Sequence, residues 1–84
     1  MPNPHRYLVD QAADETMERV SGRDLRVLRD YFRFLANHPF TPGDQQVPDG
    51  AGRVNQVKRH DRFVITYWAN HAAGEVRIAA IELF

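Results

Sequence analysis

The hydrophobic pattern of this chain changes period partway along, and that switch most narrows the folds open to it. Before Pro39, Leu25, Leu28, Phe32 and Leu35 recur at i, i+3, i+7 and i+10, the rhythm of one helix face. Beyond Gly52, Phe63, Ile65 and Tyr67 alternate with Val64, Thr66 and Trp68, the rhythm of a strand. Helical first and stranded afterwards, the sequence predicts an α+β fold. Its 84 residues hold one such domain, spanning 1–84.

Local signals place the elements. Arg6 to Val9 is short and β-prone, and reads as a first strand entering from a loose N-terminus that carries Pro2 and Pro4. Asp10 suits a helix N-cap, and Gln11 to Val20 sets Ala13, Met17 and Val20 at helical spacing with its acids near the start. Ser21 and Asp24 resemble a capping box, flanked by Val20 and Leu25 at staple positions, so a second helix starts near Gly22. Val27, Tyr31 and Phe34 widen its apolar stripe into a broad buried face, and Pro39 ends it near Asn37. Phe40 to Gly52, with two prolines and three glycines, reads as a loop.

Strands are expected at Val54 to Arg59, Phe63 to Trp68 and Glu75 to Leu83, joined by turns at His60-Asp61 and at Asn70 to Gly74. In the last strand, Val76, Ile78 and Ala80 should face one way and Arg77, Ala79, Ile81 and Leu83 the other. The predicted architecture is two N-terminal helices, after a short first strand, packed on a C-terminal antiparallel sheet of three to four strands.

Composition removes several functions. Without cysteine there is no disulfide framework, thiolate nucleophile or thiolate metal site. His5, His38, His60 and His71 are scattered without i, i+3 or i, i+4 pairing, so no metal site is expected and all four read as surface histidines. Phosphate-loop, dinucleotide and nucleophile-elbow motifs are missing, and no cofactor is expected. Apolar runs such as Ile78 to Ile81 fall far short of the roughly 20 residues of a membrane span, and the start lacks a secretory signal's apolar core. A cytoplasmic protein is the expectation.

Eleven basic and eleven acidic residues cancel, yet their placement is lopsided. Four acids lie between Asp10 and Glu18, whereas Arg53, Lys58, Arg59 and Arg62 share one stretch with a single acid, Asp61. Lys58, Arg59 and Arg62, joined by Arg77 if the last strand lies alongside, are candidates to hold a phosphate or RNA backbone and to stabilise charge on a phosphate. The same charges equally suit a solvated edge hairpin protected from aggregation. Tyr67 and Trp68 are candidates to stack on bases, or to fill the core.

The order of strand, two helices, long loop and meander with a basic hairpin resembles the RelE/ParE superfamily of bacterial toxins from toxin–antitoxin systems. Most of the resemblance is carried by Gln56-Val57-Lys58-Arg59-His60-Asp61-Arg62-Phe63-Val64-Ile65-Thr66-Tyr67-Trp68 and by Glu75-Val76-Arg77-Ile78-Ala79-Ala80-Ile81. It looks like the family's basic strand, turn, aromatic strand and final apolar strand. The chain departs from the family at the turn, where His60-Asp61 replaces the usual glycine. It departs again at Val64, where an arginine commonly stands, and at Glu82-Leu83-Phe84, where RNA-cleaving members keep basic or aromatic side chains.

The resemblance implies a toxin acting on translation at the ribosome, through mRNA cleavage or RNA binding, or on replication through gyrase, and neutralised by an antitoxin protein. A cleaving member would be a metal-independent endoribonuclease, here with a degenerate active site and no assignable catalytic residue. The rival readings are a non-catalytic protein-interaction module of the same fold and a small RNA-binding protein. Two short helices can cover only one side of the sheet. The other side is expected to take an amphipathic partner segment, a second copy of the chain as a homodimer, or the loop itself with Phe40 and Val47 as plugs.

Overall fold

The computed structural model describes residues 5–83. The expected loose N-terminus with its prolines, and Phe84, lie outside the described residues. Seven elements follow in order: β1 (Arg6–Val9), α1 (Gln11–Met17), α2 (Gly22–Asn37), β2 (Gln45–Pro48), β3 (Val54–His60), β4 (Phe63–Asn70) and β5 (Glu75–Leu83). The strands form one mixed five-stranded sheet in the order β1-β5-β4-β3-β2. The α+β class holds, and the sheet is larger than the expected three to four strands.

Two additions enlarge it. β1 pairs with β5 in parallel, Tyr7 opposite Val76 and Val9 opposite Ile78, a long-range pairing that the α1–α2 crossover permits. β2 lies inside the segment read as loop and pairs antiparallel with β3, Gln45 opposite Val57 and Pro48 opposite Val54. All four β2 residues are exposed, so no hydrophobic alternation advertises the strand. Pro48 is tolerated because β2 is an edge.

Helix α2 begins and ends at the expected residues. Ser21 Oγ accepts the Asp24 N–H at 3.3 Å, while the Asp24 carboxylate turns to Arg23 and Arg62 instead of completing the box. α1 stops at Met17, short of Val20, because Arg19 and Val20 donate to Thr16 and Met17 in tighter i to i−3 bonds. Asp10 is its N-cap by position, without a side-chain cap bond.

Leu28, Tyr31, Phe32 and Leu35 of α2 pack with Ala13 and Met17 of α1 against Phe63, Ile65 and Tyr67 of β4 and Val76, Ile78 and Ile81 of β5. Phe34, expected in that face, is 41% exposed. Ile81 also departs from the expected alternation. The register runs Thr66 to Ala80 but Tyr67 to Ile78, so Ala79 is an extra residue in β5 and this bulge returns Ile81 to the core side. Val64, Thr66 and Trp68 on the opposite face are half-buried. Among the described residues, no helix is long and apolar enough to cross a membrane.

Candidate functional site

The basic hairpin is β3, a two-residue turn and β4. His60 pairs with Phe63, which leaves Asp61 and Arg62 as the turn, one residue later than His60-Asp61. Asp61 takes a φ of 55°, a left-handed conformation that aspartate tolerates better than most residues. Aspartate thereby stands in for the glycine such a turn favours.

Strand alternation splits the candidate cations. Lys58 lies opposite Ile65 and shares its helix-facing side, whereas Arg59 lies opposite Val64 on the other side. Arg62 sits in the turn and Arg77 opposite Trp68, about four residues or roughly 14 Å along β4 from Val64. The hairpin thus brings Lys58, Arg59 and Arg62 near one another without giving them one face, and it leaves Arg77 at the far end of the sheet.

Acids from elsewhere in the chain meet these cations. Lys58 Nζ lies 3.0 Å from Asp44 Oδ1, and Arg62 lies 3.7 Å from the buried Asp24. Arg77 donates to Asp10 at 2.7 and 3.1 Å and lies 3.8 Å from Glu75. Arg53 Nε reaches Asp49 at 2.8 Å while its guanidinium lies 4.6 Å over the Trp68 ring. The Arg59 backbone N–H donates to the second oxygen of Asp44 at 2.8 Å.

Asp44 is held below the usual aspartate range, first by that backbone donor and then by Lys58, whose own value Asp44 raises. Burial raises the Tyr67 phenol, with Tyr31 adding to the shift. Burial likewise raises Tyr31, and Tyr67 and Lys58 pull it partly back. None of these shifts carries a group toward neutrality, as a general base requires. The arrangement can hold an anion.

The aromatic candidates divide between two environments. Tyr67 is 2% exposed, with its hydroxyl donating to the Thr41 carbonyl at 3.0 Å, so its ring belongs to the core. Trp68 is half-buried and lines an open groove of about 480 Å³ with Arg53, Phe40 and His71. Phe40, 80% exposed, stacks on His71 at 4.2 Å, and His71 Nδ1 meets His5 Nε2 at 3.0 Å. Phe40 and the 47% exposed Val47 are therefore not buried as plugs. Among the described residues, no group of three or more histidines and carboxylates could hold a metal ion.

Sequence reasoning missed Asp44, and it gave Tyr31 a place in the buried face without its ring contact to the hairpin. Tyr31 stacks on His60 at 4.1 Å, and its buried hydroxyl interacts with Tyr67. Asp44 carried no local signal, because the loop that holds it meets β3 only in three dimensions.

No family model and no curated protein sequence matches the chain. Solved structures do. A chain of the toxin–antitoxin complex RelBE2 from Mycobacterium tuberculosis superposes with a TM-score of 0.80 at 13% identity, over 98% of this chain and 100% of that one. A chain of the archaeal RelE–RelB complex from Pyrococcus horikoshii OT3 gives 0.78 at 10% identity, over 96% of each. Identity so low carries the architecture alone, and this architecture is the one that the resemblance implied: the chain has a RelE-like fold.

Proposed function

We propose that this chain is the toxin-like member of a toxin–antitoxin pair, inhibiting translation or replication until an antitoxin protein covers it. The observation that carries the reading is the end-to-end match to chains crystallised within RelE–RelB complexes. The sheet supports it too. Both helices pack on one face, and the half-buried face of Val64, Thr66 and Trp68 is left for a partner. In the RNA-directed form of this activity, Lys58, Arg59 and Arg62 contact phosphate and stabilise charge, Arg77 has a lesser part, and Trp68 offers an aromatic surface.

A second reading, a non-catalytic interaction module of the same fold, is favoured by one specific observation. Lys58, Arg62 and Arg77 each lie within 4 Å of a carboxylate of their own chain, which leaves less of their charge for a ligand. The two separate on induction in bacterial cells, comparing the wild type with a Lys58→Ala/Arg59→Ala/Arg62→Ala variant at equal soluble levels. Growth arrest with RNA breakdown that the triple variant loses supports RNA-directed toxicity. Equal arrest by both removes the hairpin from the mechanism, and no arrest by either favours the module. Relief of arrest by co-expressing the product of the adjacent gene tests the antitoxin.

A further inference from the structure

The carboxylate of Asp44 occupies a position built for an anion. One oxygen lies 3.0 Å from Lys58 Nζ and the other accepts the Arg59 N–H at 2.8 Å, so a cation and an oriented backbone donor grip it together. That donor set is the one proteins present to phosphate oxygens. The backbone is shaped to deliver the carboxylate: the Asp44 N–H donates to the Val57 carbonyl and the Gly43 N–H to Gln56 Oε1, each at 2.8 Å. Beside this grip lies the buried Tyr31 hydroxyl, which interacts with Tyr67 and feels both Lys58 and Asp44 electrostatically. The Asp44 side chain is half exposed, so an external anion can reach the same donors.

We infer that Lys58 Nζ and the Arg59 amide form a phosphate-binding site that the Asp44 carboxylate fills in the free chain, making Asp44 an internal competitor of the ligand. The inference rests on the toxin reading only for the source of the phosphate; the site itself stands on this geometry. Asp44 is ionised at neutral pH, since both donors hold its carboxyl below the usual range, so the competitor is always present. Displacing it requires a ligand with more charge or more acceptor oxygens, which a phosphate group has.

The test follows the Arg59 amide by NMR in the ¹⁵N-labelled full chain during titration with inorganic phosphate and, separately, with a 5′-phosphorylated dinucleotide. Asp44→Ala is expected to tighten phosphate binding about tenfold or more, through loss of both the competitor and its repulsion of the ligand. Asp44→Asn keeps an acceptor for the Arg59 amide and decides the case if Asp44→Ala disturbs the strand pairing; it is expected to tighten binding by a smaller factor. Adding Lys58→Ala to either variant is expected to abolish the gain. Equal affinity in the wild type and both variants overturns the inference, as does a gain that survives loss of Lys58. Tighter binding of the dinucleotide than of inorganic phosphate assigns the site to a nucleic-acid backbone, and equal binding assigns it to a free anion. Growth arrest is measured independently, so a harmless chain that binds phosphate refutes the proposed function and keeps the site.

Discussion

Gly43→Ala probes the contact on which β2 and Asp44 both depend. A Cβ built there meets Val57 O, N and C at 2.7, 2.8 and 2.9 Å, all backbone atoms of β3 that cannot rotate away. The segment must lift from β3. Lifting breaks the Asp44 N–H bond to Val57 O and the Gly43 N–H bond to Gln56, at about 1 kcal/mol each, so the expected cost is about 2 kcal/mol or more. For a chain of this length total stability is of the order of 4 to 13 kcal/mol, and each kcal/mol moves the melting temperature by about 4 to 8 °C. Thermal unfolding followed by circular dichroism should therefore show a drop of about 8 to 16 °C. Gly50→Ala is the control, because nothing lies within 4 Å of its Cβ, and its melting temperature should stay level or rise slightly. Equal behaviour of the two variants would refute the close approach and, with it, the delivery of Asp44 to Lys58.

Two further outcomes test the core. Phe32 is fully buried between the helices and the sheet, so Phe32→Ala should cost about 3 to 5 kcal/mol and unfold a large fraction of the protein at modest denaturant; a wild-type urea midpoint would displace α2 from the core. The phenols of Tyr31 and Tyr67 are raised from 10.0, so above that pH the unfolded chain loses protons that the folded chain keeps, and stability, undiminished below it, falls as pH rises toward the shifted values. Tyr67→Phe should flatten that alkaline decline while costing about 1 kcal/mol at neutral pH through the lost bond to Thr41, and an unchanged slope in urea melts would contradict the assignment.

Where the sequence was legible, the signal was local. Ser21 and Pro39 bound α2 because a cap and a missing N–H act within one turn, and the β3–β4 hairpin follows from alternation and a short turn. β2 was illegible because Gln45, Gln46, Val47 and Pro48 are held by the edge of β3 and not by any face of their own. Alternation along β5 puts Ile81 on the wrong face because the bulge at Ala79 arises from pairing with β4, which no count along β5 reveals. Phe34 fits the helical stripe by spacing, yet it ends beside Tyr31 and His38 at the rim, their rings 6.0 and 4.6 Å away. Lys58, Arg59 and Arg62 were identifiable as a charged stretch, but their opposite faces and their acidic partners depend on the register and the long-range path of the chain.

Those partners change what the hairpin means for a polyanion. Counted along the sequence, Arg53, Lys58, Arg59 and Arg62 stand against Asp61 alone. In the fold Asp49 meets Arg53, Asp44 meets Lys58, and Asp24 meets Arg62. A cation already paired with a carboxylate must exchange that partner for a phosphate, so it contributes less than a free one to electrostatic attraction. Four unpaired cations on single-stranded RNA would give a slope of about −3 in log affinity against log salt. The pairs seen here should give a shallower slope, and the Asp44→Ala variant a steeper one, because it frees Lys58. The local acids therefore set how strongly this hairpin answers to phosphate, and the feature that looks most like a nucleic-acid patch in the sequence is, in three dimensions, a set of cations of which Lys58 and Arg62 meet counter-charges from distant parts of the same chain.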